Sequence, residues 1–174
     1  MFGGIYKNRR VLVTGHTGFK GSWLCKWLEI LGAKVVGYAL KPVANPNHFD
    51  QLGLKIDNCF NDIVEYSTIK GVFSKFQPEI VFHLAAQPLV LESYDNPLNT
   101  FNTNIMGSVN ILEASRHTDS VKAIVIVTTD KVYKNNDCIY GYRETDVIGG
   151  HDPYSSSKAC AELVTESYRK SYSK

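Results

Sequence analysis

The sequence predicts a doubly wound α/β fold, in which a parallel sheet is covered by helices on both faces and three layers form. Two observations lead to this prediction. Short runs that are apolar at nearly every position alternate with longer amphipathic runs, which is typical of parallel strands buried by their crossover helices. The length of 174 residues, with 44% hydrophobic and 21% charged residues, suits one globular domain and excludes a disordered or fibrous chain.

The first strand and the first helix lie on either side of a glycine-containing turn. Residues 11–13 are predicted to form a buried strand and residues 19–31 an amphipathic helix. Trp23 and Trp27 belong to the apolar stripe of this helix, so we expect them in the core rather than in a ligand-binding surface. Gly32 stands where the C-terminal cap of the helix is expected.

Two more strands and one helix follow in the first half of the chain. A second strand is predicted at residues 35–40, and the loop after it contains a helical turn at 48–52. A weaker third strand is predicted at 59–63. The helix that follows is predicted at 68–76, with Ser67 as its N-cap.

The second half of the chain repeats the alternation of strand and helix. A fourth strand is predicted at residues 80–82 and a buried fifth strand at 123–127. A long helix is expected at 97–116 and a last helix after residue 152. Each of these helices opens with a capping residue, Asn96 or Asp152, that is followed by proline.

Composition and charge argue against several classes of partner. The net charge of +2 gives no support for binding to nucleic acid or to an anionic membrane. The longest apolar run, residues 123–127, is far too short to cross a membrane, and the N-terminus lacks the apolar segment of a signal peptide. With no C-x-x-C pair and no histidine pair at metal spacing, we expect no metal site and a cytoplasmic protein with reduced thiols. The cysteines are Cys25, Cys59, Cys138 and Cys160.

Glycines recur at spacings of three and three between the first strand and the first helix, in residues 14–21, which we call the glycine loop. Gly15 permits a sharp turn, Gly18 a close approach of backbone to a pyrophosphate, and Gly21 close packing of helix on strand. The helix N-terminus then points its N–H groups at the anion. The loop therefore predicts a Rossmann-like dinucleotide site, with a plain tight turn as the alternative.

The residues that could select NAD or NADP do not all favour the same cofactor. The end of the second strand has no carboxylate to bind a ribose hydroxyl, and Lys41 would either favour a 2′-phosphate or be solvated. Asp62 and Ile63 follow the third strand, where they would meet the adenine or form a surface turn. Lys20 is either a cation near the phosphates or a surface lysine. We predict NAD, with NADP left open.

Two groups of polar residues predict redox and elimination chemistry. Tyr154 and Lys158 are four residues apart in the last helix, so the ammonium group favours a phenolate that takes a proton from a carbinol. After the fifth strand, Thr129, Asp130 and Lys131 bring a hydroxyl, a carboxylate and an amine together. An acid beside a base is what an elimination requires; a turn that only caps the strand is the alternative.

Taken together, these motifs resemble the extended short-chain dehydrogenase/reductase family. The resemblance runs from Val11 through the last helix and, within the family, points to the nucleotide-sugar 4,6-dehydratases. Asp130 followed by Lys131 is similar to the members that use CDP-sugars, whereas dTDP-sugar members typically have Asp-Glu. The matching segments are the glycine loop and residues 83–86, 85–90, 103–104, 128–133 and 152–158.

The resemblance implies a role for each of these residues. Tyr154, Lys158 and Thr129 would oxidise C4 of a sugar with bound NAD, Lys131 would remove the C5 proton, and Asp130 would protonate the leaving hydroxyl group. The implied substrate is CDP-glucose or a related nucleotide sugar, and the implied assembly is a homodimer or larger homo-oligomer. Besides Tyr154 and Lys158, the implied cofactor contacts are Gly15, Thr17, Gly18, Phe19, Lys20, Gly21, Asp62, Ile63, Leu84, Ala85, Ala86, Gln87 and Thr103.

Two departures from the family pattern limit this interpretation. Leu91 and Glu92 stand where relatives often have a basic residue, which weakens the expected contact with the nucleotide sugar. Residues 1–174 are expected to be the NAD-binding domain of the family without its C-terminal substrate domain. The alternatives are a nucleotide-sugar 4-epimerase, another nucleotide-sugar dehydratase, or a dinucleotide-binding domain without catalytic activity.

Overall fold

In the computed structural model, which describes residues 2–137 and 139–172, five strands form one sheet. They are β1 (Arg10–Thr14), β2 (Lys34–Ala39), β3 (Asp57–Phe60), β4 (Ile80–His83) and β5 (Ala123–Ile126). Their order across the sheet is β3-β2-β1-β4-β5, and all neighbouring strands are parallel. The predicted doubly wound α/β fold is therefore confirmed.

Helices occupy the connections between the strands. They are α1 (Phe19–Ile30), α2 (His48–Gln51), α3 (Tyr66–Phe76), α4 (Val90–Asp95), α5 (Pro97–Phe101), α6 (Gly107–Arg116) and α7 (Pro153–Tyr172). A π-helical segment, Asn102–Met106, joins α5 to α6, and two 3₁₀ turns lie at Phe2–Gly4 and Asp130–Val132. None of the helices in the described ranges is long and apolar enough to cross a bilayer.

The sheet has a hydrophobic core on each face. Val11 and Val13 of β1 pack with Cys25 and Leu28 of α1 in one core. Leu12, between them in sequence, packs in the other core, to which α3 and α6 contribute. Because successive side chains of a strand point to opposite faces, this alternation places one core on each side of the sheet. The predicted three layers are therefore present.

Gly21 decides which face of α1 packs on the sheet. A Cβ atom at this position would lie 2.1 Å from the carbonyl oxygen of Gly15, so only a glycine lets the helix come this close. The buried face of α1 consequently consists of Gly21, Ser22, Cys25 and Leu28. The prediction that Trp23 and Trp27 lie in the core is wrong, because they project from the opposite side and remain 52% and 47% exposed.

The helix ends follow the predictions unevenly. Gly32 adopts a positive φ of 80° directly after the C-cap of α1, as expected. Asp152 caps α7, since its carboxylate accepts hydrogen bonds from the amide and the hydroxyl of Ser155 at 2.9 and 2.6 Å. The prediction of Ser67 as an N-cap is wrong: the carbonyl of Asp62 accepts from Glu65 N, and α3 already begins at Tyr66.

Three other elements differ from the prediction. The third strand lies earlier than the predicted residues 59–63, at β3, and ends at Phe60. The helix predicted at 97–116 is interrupted by the π-helical segment and is preceded by the unpredicted α4, and Asn96 makes no side-chain cap. The prediction of a buried fifth strand is wrong, because β5 pairs only with β4 in the described sheet, and Ile124 and Val125 are 37% and 43% exposed.

Three of the four cysteines lie among the described residues, and there the prediction of reduced thiols can be checked. Cys25, Cys59 and Cys160 are free cysteines, and burial together with the charge of Glu29 raises the pKa of the Cys25 thiol to about 12. Cys138 lies outside the described residues.

Gly21→Ala is expected to lower the free energy of unfolding by about 3 kcal/mol, because the new methyl group would clash with backbone that cannot move aside. Gly71→Ala in α3 is the control: nothing lies within 4 Å of its Cβ position, and alanine should raise the free energy by about 0.5–1 kcal/mol. Urea denaturation measures both values. Equal effects of the two substitutions would contradict the close approach at Gly21.

Candidate active site

The candidate site lies at the carboxyl ends of β1 and β4, which are neighbours in the middle of the sheet. The chain leaves β1 towards α1 on one face, whereas the crossover from β3 to β4 uses α3 on the other face. Ligands of open α/β sheets bind in the crevice that opens at such a switch point. The glycine loop and the segment that follows β4 are the two walls of this crevice.

The glycine loop lies against the backbone that follows β4. Gly15 has a positive φ of 71°, and a Cβ atom there would lie 2.7 Å from the amide nitrogen of Ala85. Gly18 is the N-cap of α1 and offers no side chain to bind the first N–H groups of the helix. These groups are therefore left for an external acceptor, as expected for an anion site at a helix N-terminus.

Among the other residues of the glycine loop, one forms a hydrogen bond to the residue after β2 and two are exposed. The hydroxyl of Thr17 donates a hydrogen bond to the carbonyl of Leu40 at 2.9 Å, which joins the loop to the end of β2. Phe19 and Lys20 are exposed, the former by 68%. Lys41 is exposed as well. The structure therefore leaves the two lysines in solvent at the rim of the crevice.

Asp62 and Ile63 lie in the connection from β3 to α3. The carboxylate of Asp62 accepts a hydrogen bond from Val64 N at 3.2 Å, which forms a local turn. Ile63 is buried, and a Cβ atom at Gly107 would lie 2.8 Å from its side chain. The side chain of Ile63 therefore packs against α6, whereas Asp62 is half-buried in the connection after β3.

A buried chain of hydrogen bonds connects β1, β4 and α6 beneath the crevice. The Thr14 hydroxyl accepts from Leu84 N and Ala85 N at 3.2 and 3.1 Å, so it donates to His83 Nδ1 at 2.7 Å. His83 Nε2 then donates to Ser108 Oγ, whose own hydrogen goes to the carbonyl of Asn104. Burial, with the nearby charge of Lys158, lowers the pKa of His83 to about 3 and keeps the ring neutral.

Asn104 joins the segment after β4 to α7. Its side-chain oxygen accepts from Gln87 N at 2.8 Å, and its amide group donates to the Gln87 carbonyl at 3.1 Å and to Ser157 Oγ at 2.8 Å. Asn104 is 1% exposed, whereas Thr103, the residue named from the sequence, is half-buried and donates only to Asn99. The π-helical segment that turns Asn104 inward has no signal in the sequence pattern.

The described contacts place Lys158 at the end of β5. Its Nζ atom donates to the carbonyl of Val127 at 3.1 Å, and the residue is only 6% exposed. Burial lowers the pKa of Lys158 to about 8, although the charge of Glu162 opposes this. Tyr154 lies one turn earlier on α7 and is half-buried, and its carbonyl accepts from Ser157 Oγ at 2.7 Å.

Thr129, Asp130 and Lys131 lie in the 3₁₀ turn that follows β5, with Thr129 as its N-cap. The Thr129 hydroxyl donates to the Asp130 carboxylate at 3.1 Å and accepts from Lys131 N at 3.3 Å. Both charged side chains are exposed, and the turn packs against α7. The Asp130 and Lys131 side chains thereby lie beside the helix that carries Tyr154 and Lys158.

The sequence and the fold are both similar to those of proteins that act on nucleotide sugars. Residues 12–174 match the family model for GDP-mannose 4,6 dehydratase. CDP-glucose 4,6-dehydratase of Salmonella typhimurium is 47% identical over 169 residues, which cover 96% of this chain and 47% of that protein. This chain spans about half the length of the curated relatives that it matches.

Two crystal structures have the same fold. UDP-glucose 4-epimerase of Thermotoga maritima with UDP-glucose has a TM-score of 0.84 and 29% identity, and the match covers 94% of this chain and 52% of that one. UDP-glucose 4-epimerase of Thermus thermophilus in complex with NAD has a TM-score of 0.82 and 30% identity, with 94% and 51% covered.

The sheet order and the glycine loop define the class to which the protein belongs, the Rossmann-type α/β proteins. Within this class, the chain belongs to the GDP-mannose 4,6 dehydratase family of extended short-chain dehydrogenase/reductases. The family resemblance predicted from the motifs is confirmed.

Asn104→Ala is expected to lower the free energy of unfolding by about 3 kcal/mol, because it leaves the partly buried backbone amide of Gln87 without an acceptor and opens a small cavity at the buried Asn104 position. Asn102→Ala, in the exposed part of the same π-helical segment, should change it by less than about 0.5 kcal/mol. Urea denaturation compares the two variants. A similar small loss for both would show that the Asn104 contacts are unimportant.

Lys158 should make the stability of the folded chain depend on pH above neutrality. Its folded pKa is about 8 against an ordinary 10.5, so between these values the unfolded chain keeps the proton that the folded chain has lost. The free energy of unfolding, measured relative to Lys158→Met, should therefore rise by up to about 3 kcal/mol from pH 8 to pH 10.5. A constant difference across this range would contradict the lowered pKa.

Proposed function

We propose that the protein acts as a nucleotide-sugar 4,6-dehydratase that converts CDP-glucose to CDP-4-dehydro-6-deoxy-glucose and water. The observation that supports this most directly is the turn after β5, where Asp130 and Lys131 lie beside the helix that carries Tyr154 and Lys158. An alcohol oxidation alone requires only a base, whereas an elimination requires an acid and a base together.

The crevice fits a nicotinamide dinucleotide, and we propose NAD. Gly15 and Gly21 allow the close backbone packing that a Rossmann-type phosphate site requires, and the first N–H groups of α1 have no side-chain cap. One of the similar crystal structures is a complex with NAD. The residues that would hold the dinucleotide are the glycine loop, Asp62, Ile63, Thr103, Tyr154, Lys158 and the segment Leu84, Ala85, Ala86 and Gln87. Use of NADP would require Lys41 to bind the 2′-phosphate.

Bound NAD would supply the hydride acceptor for C4 of the sugar and the hydride donor for C6. In the first proton transfer, Tyr154 Oη would take the proton of the C4 hydroxyl, with Thr129 as a hydroxyl partner and the Lys158 ammonium group stabilising the phenolate. The resulting C4 ketone acidifies the C5–H bond. Lys131 Nζ would then take the C5 proton, and Asp130 would protonate the C6 hydroxyl as it leaves as water. When C6 accepts the hydride, C5 would regain the proton from Lys131.

The choice of CDP-glucose rests on one relative. The CDP-glucose 4,6-dehydratase of Salmonella typhimurium is 47% identical, whereas the dTDP-glucose 4,6-dehydratases among the matches are 26–30% identical. The second candidate is a nucleotide-sugar 4-epimerase, which is favoured by the fold similarity to two UDP-glucose 4-epimerases. An epimerase needs the same C4 oxidation but no acid for a leaving hydroxyl group.

The natural protein that contains this sequence should convert CDP-glucose deuterated at C4 into a 4-keto sugar that carries the deuterium at C6. This transfer of label is expected because the hydride removed from C4 returns to C6 in a dehydratase. Nuclear magnetic resonance of the product measures both changes. Formation of the C4 epimer of CDP-glucose, or of UDP-glucose supplied in its place, or loss of the label without deoxygenation, would contradict the proposal.

Variants in the same assay separate the oxidation at C4 from the elimination of water. Tyr154→Phe should reduce all turnover by about 10²–10⁴-fold, whereas Asp130→Asn and Lys131→Met should still reduce the cofactor once but stop before loss of water. Lys134→Met is the matched control, an exposed lysine in the same segment that should leave turnover unchanged. Unchanged dehydration in Lys131→Met would exclude this residue as the base.

A further inference from the structure

The two residues that follow β5 contact two charged side chains of α7, Lys158 and Glu162. The carbonyl of Val127 accepts a hydrogen bond from Lys158 Nζ at 3.1 Å. The next residue, Thr128, donates a hydrogen bond from its hydroxyl to the carboxylate of Glu162. Consecutive residues of one strand end therefore hold an ammonium group and a carboxylate of the same helix.

Glu162 lies one helical turn after Lys158, and residues four apart share a face of a helix. Lys158 is almost fully buried, so its charge needs compensation from nearby groups. Burial lowers the pKa of Lys158 to about 8, and the Glu162 carboxylate is the charge that opposes this. Without the carboxylate, the buried amine would lose its proton at a lower pH.

The other titratable groups on the neighbouring elements do not replace Glu162. His83 of β4 is held neutral by burial. Glu113 of α6 is committed to Arg116, with which it forms two hydrogen bonds of 2.6 Å. The charged or titratable residues on α4 and in the turn after β5 are exposed, and they are Glu92, Tyr94, Asp95, Asp130 and Lys131. Four other groups nearby are half-buried: Tyr133, Tyr154, Cys160 and Asp152, whose carboxylate already accepts two hydrogen bonds from Ser155.

We propose that Glu162 is a positioning residue: its carboxylate, which the Thr128 hydroxyl holds, keeps the buried Lys158 ammonium group charged at the end of β5. This inference rests on the proposed function, because it assumes that Lys158 stabilises the Tyr154 phenolate. Glu162 itself would contact neither substrate nor cofactor. Its effect on catalysis would pass entirely through the charge of Lys158.

The test follows the titration of Lys158 in the natural protein, by nuclear magnetic resonance of ¹³C-labelled lysine, with the signal assigned by its absence in Lys158→Met. Glu162→Gln should lower the pKa of Lys158 by about one pH unit, since a nearby opposite charge is lost. The alkaline limb of the pH–kcat profile should move down by the same amount, with KM nearly unchanged. Thr128→Val should shift both in the same direction by less.

Glu166→Gln is the matched control, because Glu166 lies one turn further along α7 and pairs with Lys170 at 2.6 Å in a solvent-exposed position. This variant should leave the Lys158 titration and the pH profile as they are. The proposal is overturned if the pKa of Lys158 in Glu162→Gln is the same as in Glu166→Gln. If Glu162→Gln does not fold, an unchanged Lys158 titration in Thr128→Val overturns it instead.

The same measurements separate this inference from the proposed function. A lowered Lys158 pKa in Glu162→Gln, in a protein that never dehydrates CDP-glucose, would support the electrostatic contact and overturn the dehydratase assignment. Dehydratase activity together with an unchanged Lys158 titration would support the assignment and overturn the role of Glu162.

Discussion

The arrangement of the site depends on a backbone contact that leaves no room for a side-chain carbon. A Cβ atom at Gly15 would lie 2.7 Å from Ala85 N, and one at Gly21 would lie 2.1 Å from Gly15 O. These contacts fix the distance between β1, the start of α1 and the segment after β4. The N-terminus of α1 is thereby aimed into the crevice between the two central strands, where a pyrophosphate can meet its N–H groups.

Beneath this contact, the buried side chains of Thr14, His83, Ser108 and Asn104 pair with neighbouring polar groups. Thr14, His83 and Ser108 form one closed chain of hydrogen bonds, and Asn104 joins Gln87 to Ser157. A buried polar atom without a partner is costly, so these pairings restrict the segment after β4 and the start of α7 to one arrangement. Lys158 differs from the buried neutral His83, because it keeps a charge at neutral pH, and this makes it sensitive to the carboxylate one turn away.

The sequence predicts the turns and caps that depend on nearby residues in the chain. It does not predict features that depend on packing against other elements. Gly15, Gly21, Gly32 and Asp152 act through nearby backbone, and the sharp turn, the close packing, the positive φ and the cap predicted at these positions are all present. The orientation of α1 is not predicted, since its apolar residues lie on more than one side and a glycine contact with β1 chooses the packed face. Ser67 fails as a cap because the turn at Asp62 starts α3 earlier.

From the sequence alone, the alternation of apolar runs determines the parallel sheet, and the motifs determine the family, because both depend on residue type and spacing. Only the tertiary structure decides that Asn104 and not Thr103 faces inward, that Trp23 and Trp27 remain in solvent, and that Glu162 joins Lys158 at one strand end. These features arise between residues that are distant in the chain or that depend on a helix's rotation about its axis, which local sequence patterns do not encode.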